Sequence, residues 1–254
     1  MRYIKGDIAI SMEHDLPLLK QVMECQYVSH SQLWQFLYAD HFEFSRRCYD
    51  WRVKRLTDHG FLVRLLLPAV SRDWVYTVTG RAVTYLQNAG ELYSGPQDGP
   101  GTEPDCNHVA HAIGLNAILL RFLSNRMLLA WESETEIRSR NELTKNGYHK
   151  DYDAVVTLVL GGEPKRLALE YERTPKTCKE YAAIRRRIEA ERHVDQFLYL
   201  VPNSHLQSFL SQCYHKINRP LYIGSSVDLH RVSPDLLPVL DVRTDQQILL
   251  KDVS

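Results

Sequence analysis

The sequence predicts an α+β protein of two domains: a small helical domain with a β-hairpin, followed by an α/β domain with a central mixed sheet. Three observations support this prediction. A Gly- and Pro-rich segment at 93–106 interrupts the chain, helical periodicity and one hairpin precede it, and β-prone runs alternate with helical runs after it. The predicted boundaries are 1–92 for the first domain, 93–106 for a linker and 107–254 for the second domain.

Composition excludes several classes of protein. No apolar run approaches the ~18 residues of a membrane helix, and the first residues lack the apolar stretch of a signal peptide, so we expect a cytoplasmic protein with no membrane partner. Five widely spaced cysteines without a C-x-x-C pair argue against a zinc site and a disulfide framework. Basic and acidic residues balance at 31 each, so attraction to nucleic acid would have to come from segregated charge rather than net charge.

Before the linker, the pattern predicts helices, a hairpin and a closing helix. The segments are a helix from Asp15 to Cys25, a short helix capped by Ser29 or Ser31, a helix from Ser45 to about His59, strands at Phe61 to Leu67 and Trp74 to Val78, and a helix that begins at Thr79. Gly60 is suited to the left-handed position after the third helix.

This order is that of a winged helix, and "RRCYDWRVKRLTDHGFLVR…WVYTVTGRAVTYL" resembles bacterial winged-helix regulators, with Gly80 one place from their usual glycine. The third helix would enter the major groove of double-stranded DNA. We predict that Cys48, Trp51, Val53 and Leu56 face inward. The predicted DNA-binding residues are Ser45, Arg46, Arg47, Asp50, Lys54, Arg55 and Arg72. A solvated basic helix face is the alternative.

After the linker, helices and strands follow one another closely. The segments are a helix at His108 to Leu123, a strand at Met127 to Trp131, an acidic stretch at Glu132 to Glu136, strands at Tyr152 to Leu160 and Arg166 to Arg173, a helix at Thr174 to Arg192, a strand at Gln196 to Val201, a helix at Ser204 to Cys213 and a strand at Pro220 to Ile223. His108 and His111 have helical spacing, but no further Cys or His is near, which favours a packing role over a metal site.

Two carboxylates share one face of the strand after Gly161-Gly162. Alternation places Glu170 and Glu172 together, and a hairpin folded at the two glycines puts Asp153 nearly opposite Glu170. Carboxylates on an otherwise apolar hairpin are costly unless they are paired or bind a cation. Oxygen ligands so placed suit Mg²⁺ or Mn²⁺.

The phrase "YDAVVTLVL…RLALEYERTPKT…EY" resembles the signature of PD-(D/E)XK nucleases, the restriction-endonuclease-like fold, over about residues 108–223. The resemblance implies metal ligands at Asp153 and Glu170, with Glu134 or Glu136 as an additional ligand. Glu172 stands where that family has its catalytic lysine, and Lys176 or Lys179 could take the role of that lysine. The implied catalytic residues are Asp153, Glu170, Glu172 and Lys176.

The whole arrangement, with "HVAHAIGLNAILLRF" after the linker and "LALEYERT…K…Y" further on, is similar to the replication-relaxation proteins of plasmids and other mobile elements. The resemblance implies a double-stranded DNA-binding protein in replication, mobilisation or transcription control. A Mg²⁺-dependent endonuclease and a protein-interaction module that has lost DNA contact remain the alternatives. Since many winged-helix proteins bind paired half-sites as dimers, we also expect a homodimer.

Overall fold

The computed structural model describes residues 8–91, 104–144 and 146–253, which fall into two compact units. The first unit ends at Leu120 and the second begins at Arg121. This division lies inside a helix rather than in the predicted linker, most of which lies outside the described residues. The cause is local: Asn116 Nδ2 donates to Tyr27 O at 2.8 Å and Gln32 Nε2 donates to Ile113 O at 2.8 Å, which fixes this stretch of helix to the first unit.

The first unit combines helices with a three-stranded antiparallel sheet. Its elements are α1 (Asp15–Cys25), β1 (Val28–Ser29), α2 (His30–Ala39), α3 (Arg46–Asp58), β2 (Leu62–Leu65), β3 (Val75–Val78), α4 (Gly80–Asn88) and the first part of α5 (Cys106–Ser124). The strand order is β1-β3-β2, so the predicted hairpin is confirmed and β1 pairs with its second strand. Gly60 has a φ of +71°, which confirms the predicted left-handed position after α3.

The predicted buried face of α3 is confirmed in part. Val53 and Leu56 are buried as predicted and Tyr49 is buried as well, whereas Cys48 and Trp51, which were predicted to face inward, are exposed. Tyr49 is fixed inward because its hydroxyl donates to His30 O at 2.7 Å. The helix is therefore rotated about its axis relative to the prediction, and of the predicted basic residues of α3 only Arg55 is not exposed.

The second unit is built on a seven-stranded mixed sheet of order β10-β9-β8-β7-β6-β5-β4. Its elements after α5 are β4 (Leu128–Ser133), α6 (Glu134–Leu143), β5 (Ala154–Leu160), β6 (Glu163–Tyr171), α7 (Cys178–Ala190), β7 (Gln196–Val201), α8 (Ser204–Cys213), β8 (Leu221–Ser225), α9 (Ser226–Leu229), β9 (Pro238–Asp241) and β10 (Gln246–Leu249), with 3-10 turns at Pro234–Leu236 and Leu250–Asp252. Strands β6, β7 and β8 are parallel, and the other neighbours are antiparallel.

One face of this sheet packs against α7 and α8. Ala168, Phe197 and Tyr199 of the strands share a buried cluster with Tyr181 of α7 and Leu210 of α8. Glu170 follows Ala168 by two residues, so its side chain points to this covered face. The covered face is therefore where the predicted carboxylates meet the core.

The α+β class and the predicted mixed sheet are confirmed, while several elements were not predicted. Helix α6 replaces the acidic stretch, because Ser133 and Glu136 form a reciprocal capping box. Strands β9 and β10 extend the sheet beyond β8. None of the helices within the described residues has the length and hydropathy of a membrane span.

Candidate functional site

The exposed side of α3 combines cations with an aromatic ring. Arg46, Arg47, Lys54 and Trp51 are all exposed. Arg46 Nε lies 3.2 Å from Asp50 Oδ1, and Lys54 Nζ lies 2.5 Å from Asp58 Oδ2. Arg47 forms no ion pair within the described residues. The predicted placement of Arg46, Arg47, Asp50 and Lys54 on the exposed side is therefore confirmed.

Arg55 is a correction to the predicted DNA-binding set. Its side chain is only 12% exposed and pairs with Asp15, which is fully buried. Arg52 joins the same cluster, with Nη1 3.0 Å from Asp15 Oδ1 and Nη2 3.3 Å from Glu43 Oε2. Burial raises the pKa of Asp15, but hydrogen bonds from Arg55, Ser11 and Arg52 outweigh it and lower the pKa below its ordinary value. These two arginines stabilise the fold and are not available to a ligand.

The remaining predicted residues of the first unit have different roles. Ser45 caps α3, because its hydroxyl accepts a hydrogen bond from Cys48 N at 3.3 Å. Arg72 is exposed in the loop between β2 and β3. Arg64, which was not predicted, is also exposed on β2, with its guanidinium carbon 4.3 Å from the centre of the Trp74 ring. The sequence signal for Arg64 was its position at the start of the hairpin.

Asp153 and Glu170 lie where the hairpin prediction placed them. Strands β5 and β6 pair Ala154 with Leu169, so the next pair in register is Asp153 and Glu170. The turn is tight because Gly161 and Gly162 have φ values of +60° and +88°, which fit a type I′ turn. Asp153 Oδ2 accepts a hydrogen bond from Tyr171 N at 2.6 Å.

Lys150, which sequence reasoning missed, forms an ion pair with Glu170. Burial raises the pKa of Glu170 to about 7; Lys150 opposes this rise and Asp153 adds to it. Burial lowers the pKa of Lys150, but Glu170, Asp153 and Glu172 more than offset this effect and raise it above its ordinary value. The lysine ammonium is therefore held charged among three acids.

Glu172 is also buried and is paired with Lys176. Lys176 Nζ donates to Glu172 Oε1 at 2.6 Å, and the lysine side chain is 41% exposed. Lys176, one of the two lysines expected to replace the family lysine, contacts Glu172, and its catalytic role stays a prediction. Glu170 near the end of β6 and Glu172 just after it thus each have an ammonium partner.

The donor set does not fit a divalent metal ion in this arrangement. Lys150 forms an ion pair with Glu170, and the Tyr171 amide donates to one oxygen of Asp153. Glu134 pairs with Arg138 at 2.5 Å and not with the two other predicted ligands. Within the described ranges, no group of three or more His, Cys, Asp or Glu residues could hold a metal. A Mg²⁺ or Mn²⁺ site would require Lys150 to leave Glu170, because the ammonium and the ion would compete for the same oxygens.

His108 packs as predicted: its Nε2 lies 2.8 Å from Gln26 Oε1, and its ring meets Tyr27 edge-on.

Comparison with protein-family models, with curated proteins and with solved structures finds no match to this chain.

Proposed function

We propose that this protein binds double-stranded DNA through the exposed side of α3, with the first unit acting as a winged helix. The observation that carries the proposal is the grouping of Arg46, Arg47 and Lys54 around exposed Trp51 on one helix face. Cations on a groove-sized helix can neutralise phosphates or reach base edges. As the similarity to replication-relaxation proteins implies, the binding would serve replication, mobilisation or transcription control of a mobile element.

The hairpin beside α3 supplies the second part of the interface. Strand β2 packs against α3, and Arg64 and Arg72 are exposed on β2 and in the loop that follows it. With Arg46, Arg47 and Lys54, these make five exposed cations on adjoining elements. Asp50 and Asp58 reduce the net charge of the surface, so we expect moderate affinity for DNA. To bind phosphate, Arg46 and Lys54 would have to break their ion pairs with these two aspartates.

In this proposal the second unit assists assembly or DNA clamping and does not cut. A nuclease of the proposed fold class needs its metal on Asp153 and Glu170, and Lys150 stands in that place. The same arrangement disfavours the endonuclease reading and leaves the binder as the function that the site supports best.

Fluorescence anisotropy with a labelled duplex of randomised central sequence tests the proposal. For about four phosphate contacts, log K should fall with log salt at a slope of about −3.6. The double variant Arg47→Ala/Lys54→Ala should lower the magnitude of the slope by about 2 and weaken binding on every sequence.

Lys20→Ala is the matched control, since Lys20 is a half-exposed cation of the same unit that pairs with Glu91 on the surface. It should bind DNA as the wild type does. Binding that is indifferent to salt, or that survives the double variant unchanged, would overturn the proposal and leave the protein-interaction alternative. Sedimentation of the protein with and without duplex tests the homodimer that paired half-sites would need.

A further inference from the structure

A cavity of about 580 Å³ opens in the second unit between the segment after β6 and the start of α8. Its lining residues are Arg173, Pro175, Lys176, Thr177, Asn203, His205, Leu206 and Phe209. The volume lies within the range of roughly 300–1,000 Å³ that is usual for small-molecule sites. Two of its lining residues adjoin the buried Glu172: Arg173 follows it in the chain and Lys176 forms an ion pair with it.

The charge of the lining is one-sided. Arg173 and Lys176 are cationic, His205 adds a further basic group, and none of the lining residues is acidic. The acid that pairs with Lys176 is Glu172, which is buried and not part of the lining. Lys176 Nζ donates to both oxygens of Glu172, which leaves one of its three donors for the cavity, and the lysine side chain is 41% exposed. Such a lining favours an anion over a cation or a neutral polyol.

Three of the remaining lining residues are apolar and two are polar. Pro175, Leu206 and Phe209 provide carbon surface, and the Phe209 ring is fixed edge-on against Tyr181 with the ring centres 5.8 Å apart. Thr177 and Asn203 add a hydroxyl and an amide, both anchored as helix caps. A ligand that satisfies the whole lining has a flat apolar body and a compact anionic group.

We propose that this cavity binds a phosphate attached to a planar ring system, as in a nucleoside monophosphate, with the phosphate on Arg173 and Lys176 and the ring against Pro175 and Phe209. Guanidinium and ammonium groups are the usual protein partners of phosphate. Ring stacking on an aromatic side chain is sequence-tolerant, so the base is not selected. The source is either a free nucleotide or the phosphorylated end of a DNA strand.

Isothermal titration of the whole 254-residue chain with thymidine 5′-monophosphate tests this site. We expect saturable binding, with thymidine and inorganic phosphate each at least about tenfold weaker, because each lacks one half of the contacts. Arg173→Gln and His205→Gln should weaken the nucleotide at least about fivefold and thymidine little. Arg186→Gln, an exposed arginine of α7 outside the lining, is the matched control and should bind as the wild type does.

Circular dichroism on every variant ensures that a loss of binding is not a loss of fold. Absence of saturable nucleotide binding by folded protein, or equal binding by the wild type and Arg173→Gln, overturns the proposal. Competition with a short single strand then identifies the source: displacement by the 5′-phosphorylated but not the 5′-hydroxyl strand assigns a DNA end, and displacement by neither assigns a free nucleotide. Duplex binding through Arg47 and Lys54 is measured separately, so a negative result for the nucleotide site does not refute the proposed DNA binding, and the reverse also holds.

Discussion

Replacing Lys150 by Met should destabilise the second unit in a pH-dependent manner. The pKa of Glu170 is about 7 in the folded protein against an ordinary value of 4.5, a difference worth about 3 kcal/mol at 1.36 kcal/mol per unit. Because the folded pKa is the higher one, wild-type stability from this group is complete below pH 4.5 and is lost as the pH rises through 7. Without Lys150 the buried charge keeps only the weaker attraction of Lys176, so the pKa of Glu170 rises further and the loss continues at higher pH.

We expect Lys150→Met to cost about 3–5 kcal/mol at pH 9, where Glu170 would be an unpaired buried anion, and about 1 kcal/mol at pH 5, where it is protonated. The double variant Lys150→Met/Glu170→Gln should recover most of the loss at pH 9, since no charge is then left unpaired. Lys165→Met is the control, because Lys165 lies on β6 with Glu170 and makes no ion pair within the described residues. This variant should cost under about 0.5 kcal/mol at either pH.

Urea unfolding reports these values through Trp131, the one tryptophan in the sequence after Leu120, in a background where Trp34, Trp51 and Trp74 are Phe. An equal loss at pH 5 and pH 9 for Lys150→Met would refute the reasoning, because it would mean that Glu170 does not change its charge in this range. So would a double variant that is no more stable than the single one.

Two further predictions concern the corrected site residues. Arg55→Gln should lower the stability of the first unit by about 2–3 kcal/mol, because the fully buried Asp15 loses one of its partners. Arg47→Gln should change the stability by less than about 0.5 kcal/mol. Thermal unfolding followed by circular dichroism measures both variants, and equal effects would contradict the placement of Arg55. Supercoiled plasmid should stay intact in millimolar Mg²⁺ or Mn²⁺ with excess protein on an agarose gel; nicking that Asp153→Asn abolishes would show that Lys150 yields its place to a metal ion.

The carboxylate pair could be predicted because its geometry is local. A two-glycine turn fixes the hairpin register, and strict alternation along β6 then determines which residues meet. Lys150 could not be predicted in the same way. It lies before β5 outside any strand or helix, where no periodicity indicates the direction of a side chain. Its partner is determined by the fold, and the sequence separation of 20 residues gives no hint of it.

The buried face of helix α3 was predicted incorrectly for another reason: its sequence allows two different faces to be buried. Val53 and Leu56 fit an apolar stripe that is completed either by Cys48 and Trp51, as predicted, or by Tyr49, as observed, and both stripes have helical spacing. The choice between them depends on polar partners far along the chain, since Arg52 and Arg55 reach Asp15 of α1. A buried aspartate that needs two arginines rotates the helix, and hydrophobic periodicity does not record that requirement.

The two-residue turn at Gly161-Gly162 also limits how this protein can change over time. Successive residues of a strand alternate between the two faces of the sheet, so one extra residue in that turn would exchange the faces of the whole of β6 relative to β5. Glu170 would leave Lys150, and Leu169 would take its position opposite Asp153. Homologues that keep the two ion pairs should therefore have no insertion or deletion in this turn, although surface turns usually tolerate them.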